Sequence, residues 1–295
     1  MQRIALRVGA VVGGILIAAL GILWWQGRDD GGDAATGQVL HQFDTNDFHS
    51  LAFAPSDPET LYFGHHGGME VTHDGGASWE NAALRGVDVM QQSVPVDGSE
   101  RHYAAGHDVF QASSDGGQTW QAQPNDLPGL DIHGFAAAPS DADRLYAFEV
   151  TSSGFYSSAD GGASWEALPL PPGMETANLP LAVGYDDPLH VFSGVGEQIL
   201  ESRDGGASWE SIPGPGGTIL ALATYADDPS MLLVGTVEGL WRHAADGSWF
   251  KLPVTPDGAA LAVAVQPENS ERIAMIDQQG NFYRSDDGGT TWATE

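Results

Sequence analysis

Histidine is the side chain with the widest chemical reach in this sequence. The chain carries ten of them beside 40 aspartates and glutamates and no cysteine. Thiol nucleophiles, disulfides and thiolate metal sites are therefore excluded. Five histidines come into register when the sequence is aligned on its recurring Pro and Leu-Tyr positions. His49-Ser-Leu-Ala-Phe-Ala-Pro55 matches His133-Gly-Phe-Ala-Ala-Ala-Pro139, which puts His49 and His133 at one site on the innermost strand of their repeats. Val89 takes the same slot in the repeat between them. Thr60-Leu-Tyr-Phe-Gly64 and Arg144-Leu-Tyr-Ala-Phe148 then set His65 opposite Glu149 and Asp277, and His66 opposite His107, at the ends of second strands. If the repeats close into a ring, these groups converge on one end of its channel. Imidazole and carboxylate together suit zinc, copper or iron. The candidate metal ligands are thus His49, His65, His66, His107, His133 and Glu149, with zinc or copper the expected ion. The competing reading is a set of ordinary rim histidines, each bonding a backbone group at a strand end. His41, His73, His102, His190 and His243 fall on outer strands or turns and receive no role.

Other chemistry is poorly provided for. The sequence has no G-x-S-x-G and no H-E-x-x-H, and its single lysine, Lys251 before Leu-Pro, belongs to no P-loop. Two carboxylates would suffice for a glycosidase, but among 40 acids any chosen pair is uninformative. Catalytic residues are left unassigned.

What must position the histidines is a repeated turn. Thr72 to Trp79, Ser113 to Trp120, Ser158 to Trp165, Ser202 to Trp209 and Ser285 to Trp292 all read Ser/Thr-x-Asp-Gly-Gly-x-Ser/Thr-Trp, and Ala244 to Trp249 is a worn sixth copy. The tryptophans fall at intervals of 40 to 45 residues, the period of a four-stranded propeller blade. In each copy the Asp carboxylate is expected to fold back onto turn N–H groups. The glycines supply positive φ, and the Trp packs into the layer behind. Asp74, Asp115, Asp160, Asp204, Asp246 and Asp287, with Trp79, Trp120, Trp165, Trp209, Trp249 and Trp292, are accordingly structural. The turns lack the alternating acids of a calcium loop. Short alternating strands between turn clusters continue to the end of the chain, and nothing after residue 38 reads as a helix. The predicted fold is all-β: a six-bladed propeller of four-stranded antiparallel blades over 38–295.

The repeated turn resembles the Asp-box, or BNR, repeat of sialidases, sortilin-like receptors and a photosystem II assembly factor. Phe48-His49 with His65-His66 further resembles a bacterial BNR subgroup labelled glycosyl hydrolase-like. Kinship with sialidases would imply an arginine cluster for the substrate carboxylate. The seven arginines after residue 38 include no such cluster near the first blade, and Arg203, Arg242 and Arg284 sit on third strands or their turns. A sialidase is not expected.

The formal charge is −29, and of the eleven basic residues Arg3, Arg7 and Arg28 lie in the first 28 positions, where there is no acid. Eight basic residues therefore face all 40 acids over the remainder. Such a surface repels phosphate, so nucleic acid is an unsuitable partner. Val8 to Trp25 is 18 residues without a charge, ending in Trp24-Trp25. It is long enough to span the hydrocarbon, with the arginines on the cytoplasmic side. A cleaved signal peptide competes, but the best small-x-small site, around Ile17-Ala18-Ala19, lies inside the apolar run. The expected organisation is a membrane anchor over 1–26 (partner membrane through 4–25), a flexible linker over 27–37 and an extracytoplasmic propeller. The expected role is non-catalytic binding or assembly, through a protein partner or a glycan. A non-sialidase glycoside hydrolase is the alternative. Finally, Val39–Phe43 precedes the first blade while the last blade stops three residues after Trp292, so this segment is expected to complete blade six.

Overall fold

Alternating strands of five or so residues, punctuated by Asp-Gly-Gly turns, leave each sheet able to bury both faces only against like sheets. The computed structural model shows that outcome. It describes residues 39–45, 47–170, 173, 180–254 and 258–293. The expected anchor and linker lie outside the described residues. Among the described residues there is no helix long and apolar enough to cross a membrane. They form six four-stranded antiparallel sheets.

Blade one comprises Ser50–Phe53, Leu61–His65, Gly68–Thr72 and Glu80–Arg85. Its fourth strand begins only at Glu80, because Ser78 and Trp79 are still held in the turn. Blades two to five repeat the plan from Gln91, Ile132, Leu181 and Ile219. The first strands of all six blades line one axial cavity of about 190 Å³, polar at Ser50, Gln91 and Gln92 and otherwise walled mainly by Ala, Val and Leu.

The turns act between blades as well as within them. In blade three, Asp160 Oδ1 accepts from the Ser164 N–H (2.9 Å) and the Ser158 hydroxyl (2.8 Å), and Oδ2 accepts from the Ser164 hydroxyl. These bonds hold the Asp160 carboxyl down at about 2. Gly161 and Gly162 take positive φ of 70° and 89°. A Cβ on Gly162 would lie 2.4 Å from the ring of Phe110 in blade two, so this glycine is also required by close approach. Trp165 donates to the Gly162 carbonyl (2.9 Å) and meets Phe110 edge-on at 5.8 Å. Trp209 does the same to Phe155 of blade three, and Trp79 to Phe282 of blade six. Each of these tryptophans fastens its blade to the one before.

Blade six consists of Ala260–Gln266, Asn269–Asp277 and Asn281–Ser285. Its fourth strand is His41–Gln42 from the other end of the propeller, pairing with Phe282 and Asn281. Leu40 N–H donates to the Phe282 carbonyl and Phe43 N–H to that of Gly280. Further along the same edge Ala293 N–H reaches the Arg284 carbonyl, so the two chain segments share one strand edge end to end. Ring closure is thus the expected one.

Candidate functional site

In blades one, two and four the second strand ends beside the start of the next blade's first strand, and hydrogen bonds join them. Val89 N–H donates to the His65 carbonyl (3.1 Å), and Asp108 N–H to that of Leu130 (3.0 Å). Gly64 permits the approach in blade one, since a Cβ there would lie 2.9 Å from the Val89 carbonyl oxygen. The consequence is an arc of side chains at one channel mouth, drawn from blades one, two and three.

His49, His66, His107 and His133 all stand on this arc. The rings of His49 and His66 are 4.9 Å apart, His66 and His107 stack at 6.1 Å, and His107 and His133 meet at 4.8 Å. Three aspartates that sequence reasoning missed stand between them. His49 Nε2 lies 3.0 Å from Asp47 Oδ1 and 3.9 Å from Asp88 Oδ1. His66 touches Asp47 through Nδ1 and lies 2.9 Å from Asp88 Oδ2 through Nε2. His107 Nδ1 is 2.5 Å from Asp88 Oδ2. Its Nε2 faces His133 Nε2 at 2.9 Å and Asp131 Oδ1 at 3.3 Å, and His133 Nε2 is 3.0 Å from Asp131 Oδ1. The signal for the aspartates was present as a local pattern: Asp47-Phe-His49, Asp88-Val-Met90 and Asp131-Ile-His133. Strand register puts Met90 rather than Val89 in the His49 slot, because Ser50 pairs Gly64 where Gln91 pairs Ala105. Val89 is instead fully buried between blades.

His65 and Glu149 stand apart from the arc. His65 stacks on Phe63 at 5.3 Å, and its Nδ1 accepts from the Gly67 N–H at 3.1 Å. Glu149 accepts from the N–H groups of Thr151 and Ser152. Asp277, in the equivalent position, accepts from those of Gln279 and Asn281. The last residue of the second strand therefore caps the hairpin turn that follows. Burial alone would raise the Glu149 carboxyl, but the bonds from Ser152 and Thr151 outweigh it and hold it low. Among the histidines without an assigned role, His102 is a correction: it lies on a second strand, His102–Gly106, and is fully buried. Its Nε2 pairs with Gln92 Oε1 at 3.0 Å.

The arc has the donors of a metal site. Two groups each bring their ligand atoms within 4.8 Å of one another: Asp47, His49, His66 and Asp88, and His107, Asp131 and His133. In the first group Asp47 Oδ2, His49 Nε2 and Asp88 Oδ1 are buried at ion-pair distance from neighbours yet make no hydrogen bond. Burying such atoms without a hydrogen bond is costly, and a cation among them would relieve the cost. Burial pushes the His49 imidazole below its usual range; Asp88 draws it back up, while His107 and His133 lower it further. It is thereby kept in the neutral, ligating form at neutral pH.

Fold and site together define a six-bladed β-propeller with a histidine–aspartate arc at one channel mouth. The chain belongs to the family described as the DUF6242 β-propeller domain, which matches residues 109–295. No curated protein matches it. Among solved structures it is similar to the GH74 xyloglucanase from Xanthomonas campestris (19% identity, TM-score 0.60), covering 88% of this chain but only 46% of that enzyme. It is also similar to YCF48 from Cyanidioschyzon merolae (19% identity, TM-score 0.53), covering 88% of both chains. A YCF48 bound to a D1 peptide matches at 20% identity and TM-score 0.54, over 88% of this chain and 84% of that one. At these identities the likeness shows the fold alone.

Proposed function

We propose that this chain is a membrane-anchored, extracytoplasmic propeller that binds a protein partner at its channel mouth, without catalysis, around a bound zinc or copper ion. The observation that carries this reading is the arrival of four imidazoles and three carboxylates from three successive blades at one rim. Histidine and aspartate together favour a borderline transition ion over calcium or magnesium. The likeness to a YCF48 bound to a D1 peptide supports a protein rather than a glycan as the partner. The repeated turns read as Asp-boxes of the BNR type, consistent with their self-contained hydrogen bonding. The anchor over 4–25 is argued from the uncharged run and its flanking arginines and tryptophans.

The test is the metal content of the full chain, extracted from membranes and purified without chelator. Zinc or copper should co-purify, and N-terminal sequencing should read Met1 or Gln2. A metal-free protein that binds neither ion more tightly than its His49→Ala/His133→Ala variant would refute the metal reading. Turnover of a chromogenic glycoside, abolished by substitutions at the mouth, would refute the non-catalytic one.

A further inference from the structure

We propose that the arc holds two metal ions with different jobs: a closed ion among Asp47, His49, His66 and Asp88, and an open one on His107, Asp131 and His133. The open ion keeps a position for a nitrogen or oxygen donor from outside the chain. This rests on the metal reading above and adds the number of ions and the class of ligand the mouth takes.

The His107 ring is what divides the donors. Its Nδ1 faces Asp88 Oδ2 at 2.5 Å and its Nε2 faces His133 and Asp131. The two nitrogens of one imidazole point away from each other, so a single ion cannot engage both sides. If Nε2 ligates, Nδ1 carries the proton and donates it to Asp88. That is the carboxylate–imidazole support which fixes the tautomer and orientation of most ligating histidines. His107 is then a ligand of the second ion, held in place by a ligand of the first.

Donor spacing agrees. The His107 Nε2, His133 Nε2 and Asp131 Oδ1 atoms are 2.9, 3.0 and 3.3 Å apart. Zinc–nitrogen bonds of about 2.0–2.1 Å, tetrahedrally arranged, set ligand atoms about 3.3 Å apart, so these three describe one face of a tetrahedron. The corner opposite that face has no donor from this group. The first group supplies four donors, the number that closes a structural site, where three protein donors leave a position open. At the second site His107 and Asp131 are 45% and 38% exposed and His133 14%; at the first, His66 is 54% exposed and Asp47, His49 and Asp88 14–20%. The first ion would stitch blade one to blade two. The second would face solvent, within reach of a partner's imidazole or carboxylate.

The test uses the full chain in detergent, stripped by chelator, equilibrated with zinc and dialysed. Wild type should retain two equivalents, His133→Ala one, His49→Ala one, and the double variant none. The ion each single variant keeps shows that its fold survives, and His133→Gln, which preserves volume, should behave as His133→Ala. With cobalt(II) as a spectroscopic probe, imidazole should shift the visible bands of wild type and His49→Ala but not those of His133→Ala. A wild type that retains only one equivalent, lost entirely to either single substitution, means a single shared ion, which overturns this inference and leaves the metal reading standing. No zinc bound by wild type overturns this inference, and no copper either, in the same dialysis, overturns the metal reading as well. Two equivalents whose cobalt spectrum ignores imidazole would show that the second site is closed, and the division of labour falls.

Discussion

Closure of the ring can be tested at one side chain. Phe43 follows the two-residue strand that completes blade six and is only 4% exposed. Its ring lies 4.2 Å from that of Phe63 and 5.0 Å from Trp79, both of blade one, and it packs in the cluster that includes Phe282 of blade six. So short a strand contributes few ladder bonds. Most of what holds it is this aromatic plug between the last blade and the first. Phe43→Ala should cost about 3–5 kcal/mol, the range for emptying a buried aromatic site. It also frees the strand and uncovers an edge prone to pairing with other chains. At roughly 2–4 °C per kcal/mol for a domain of this size, the melting temperature should fall by about 6–20 °C. The assay is thermal unfolding of the full chain followed by circular dichroism, with light scattering for aggregation. Phe43→Leu should recover most of the loss. Phe250→Ala is the control, because Phe250 is 50% exposed on blade five and should cost less than about 0.5 kcal/mol. If Phe43→Ala melts with the Phe250 control, the plug is not what closes the ring.

Three further perturbations bear on the same scaffold. Asp160→Ala removes the acceptor of the Ser164 and Ser158 bonds; it should lower the melting temperature without changing metal content, and lost metal at unchanged stability would place the turn in the site. His102 is buried neutral, its imidazole pushed down to about 3 by desolvation. Its contribution is therefore complete above the unfolded value near 6.5 and is lost as pH falls from there toward 3. His102→Gln should flatten the stability–pH slope in that window, and an unchanged slope would refute the assignment. Glu59 of blade one receives Arg272 and Arg284 of blade six at 2.8 Å each. Glu59→Gln should cost about 1 kcal/mol, less at high salt, and a loss independent of salt would argue against an ionic clasp.

Much of this architecture was legible because it is written in turn chemistry. A Ser/Thr-x-Asp-Gly-Gly-x-Ser/Thr-Trp octet fixes its own hydrogen bonds within eight residues, so its period reports the blade without any knowledge of packing. The partner of Trp165 was not legible. That Phe110 of the preceding blade receives it depends on how neighbouring sheets lie against each other. Closure was legible by deficit, since a spare strand at one end matched a missing one at the other.

The channel mouth divides along a finer line. His65 and His66 are neighbours, and the alignment with Glu149, Asp277 and His107 was sound for both. Yet successive residues at a strand end point in different directions. The last residue of the strand turns back over its own hairpin, where any acceptor serves: an imidazole in His65, a carboxylate in Glu149 and Asp277, a hydroxyl in Thr236. The next residue reaches toward the neighbouring blade, and there His66 and His107 find Asp88. Position in a repeat therefore predicts that a group lies at the mouth but not what it faces. The aspartates escaped notice for a related reason. Asp88 belongs to a repeat with Met90 in the histidine slot, and its partners come from before and after it in the chain. Only a sheet-to-sheet hydrogen bond, Val89 to His65, brings it there. A search for Asp two residues ahead of each inner-strand slot would have recovered Asp47, Asp88 and Asp131 together, in blades one to three. The same positions in blades five and six hold Thr218 and Ala259. On that count these two blades lack the acid, and the rim facing blades one to three carries the capacity to hold a cation.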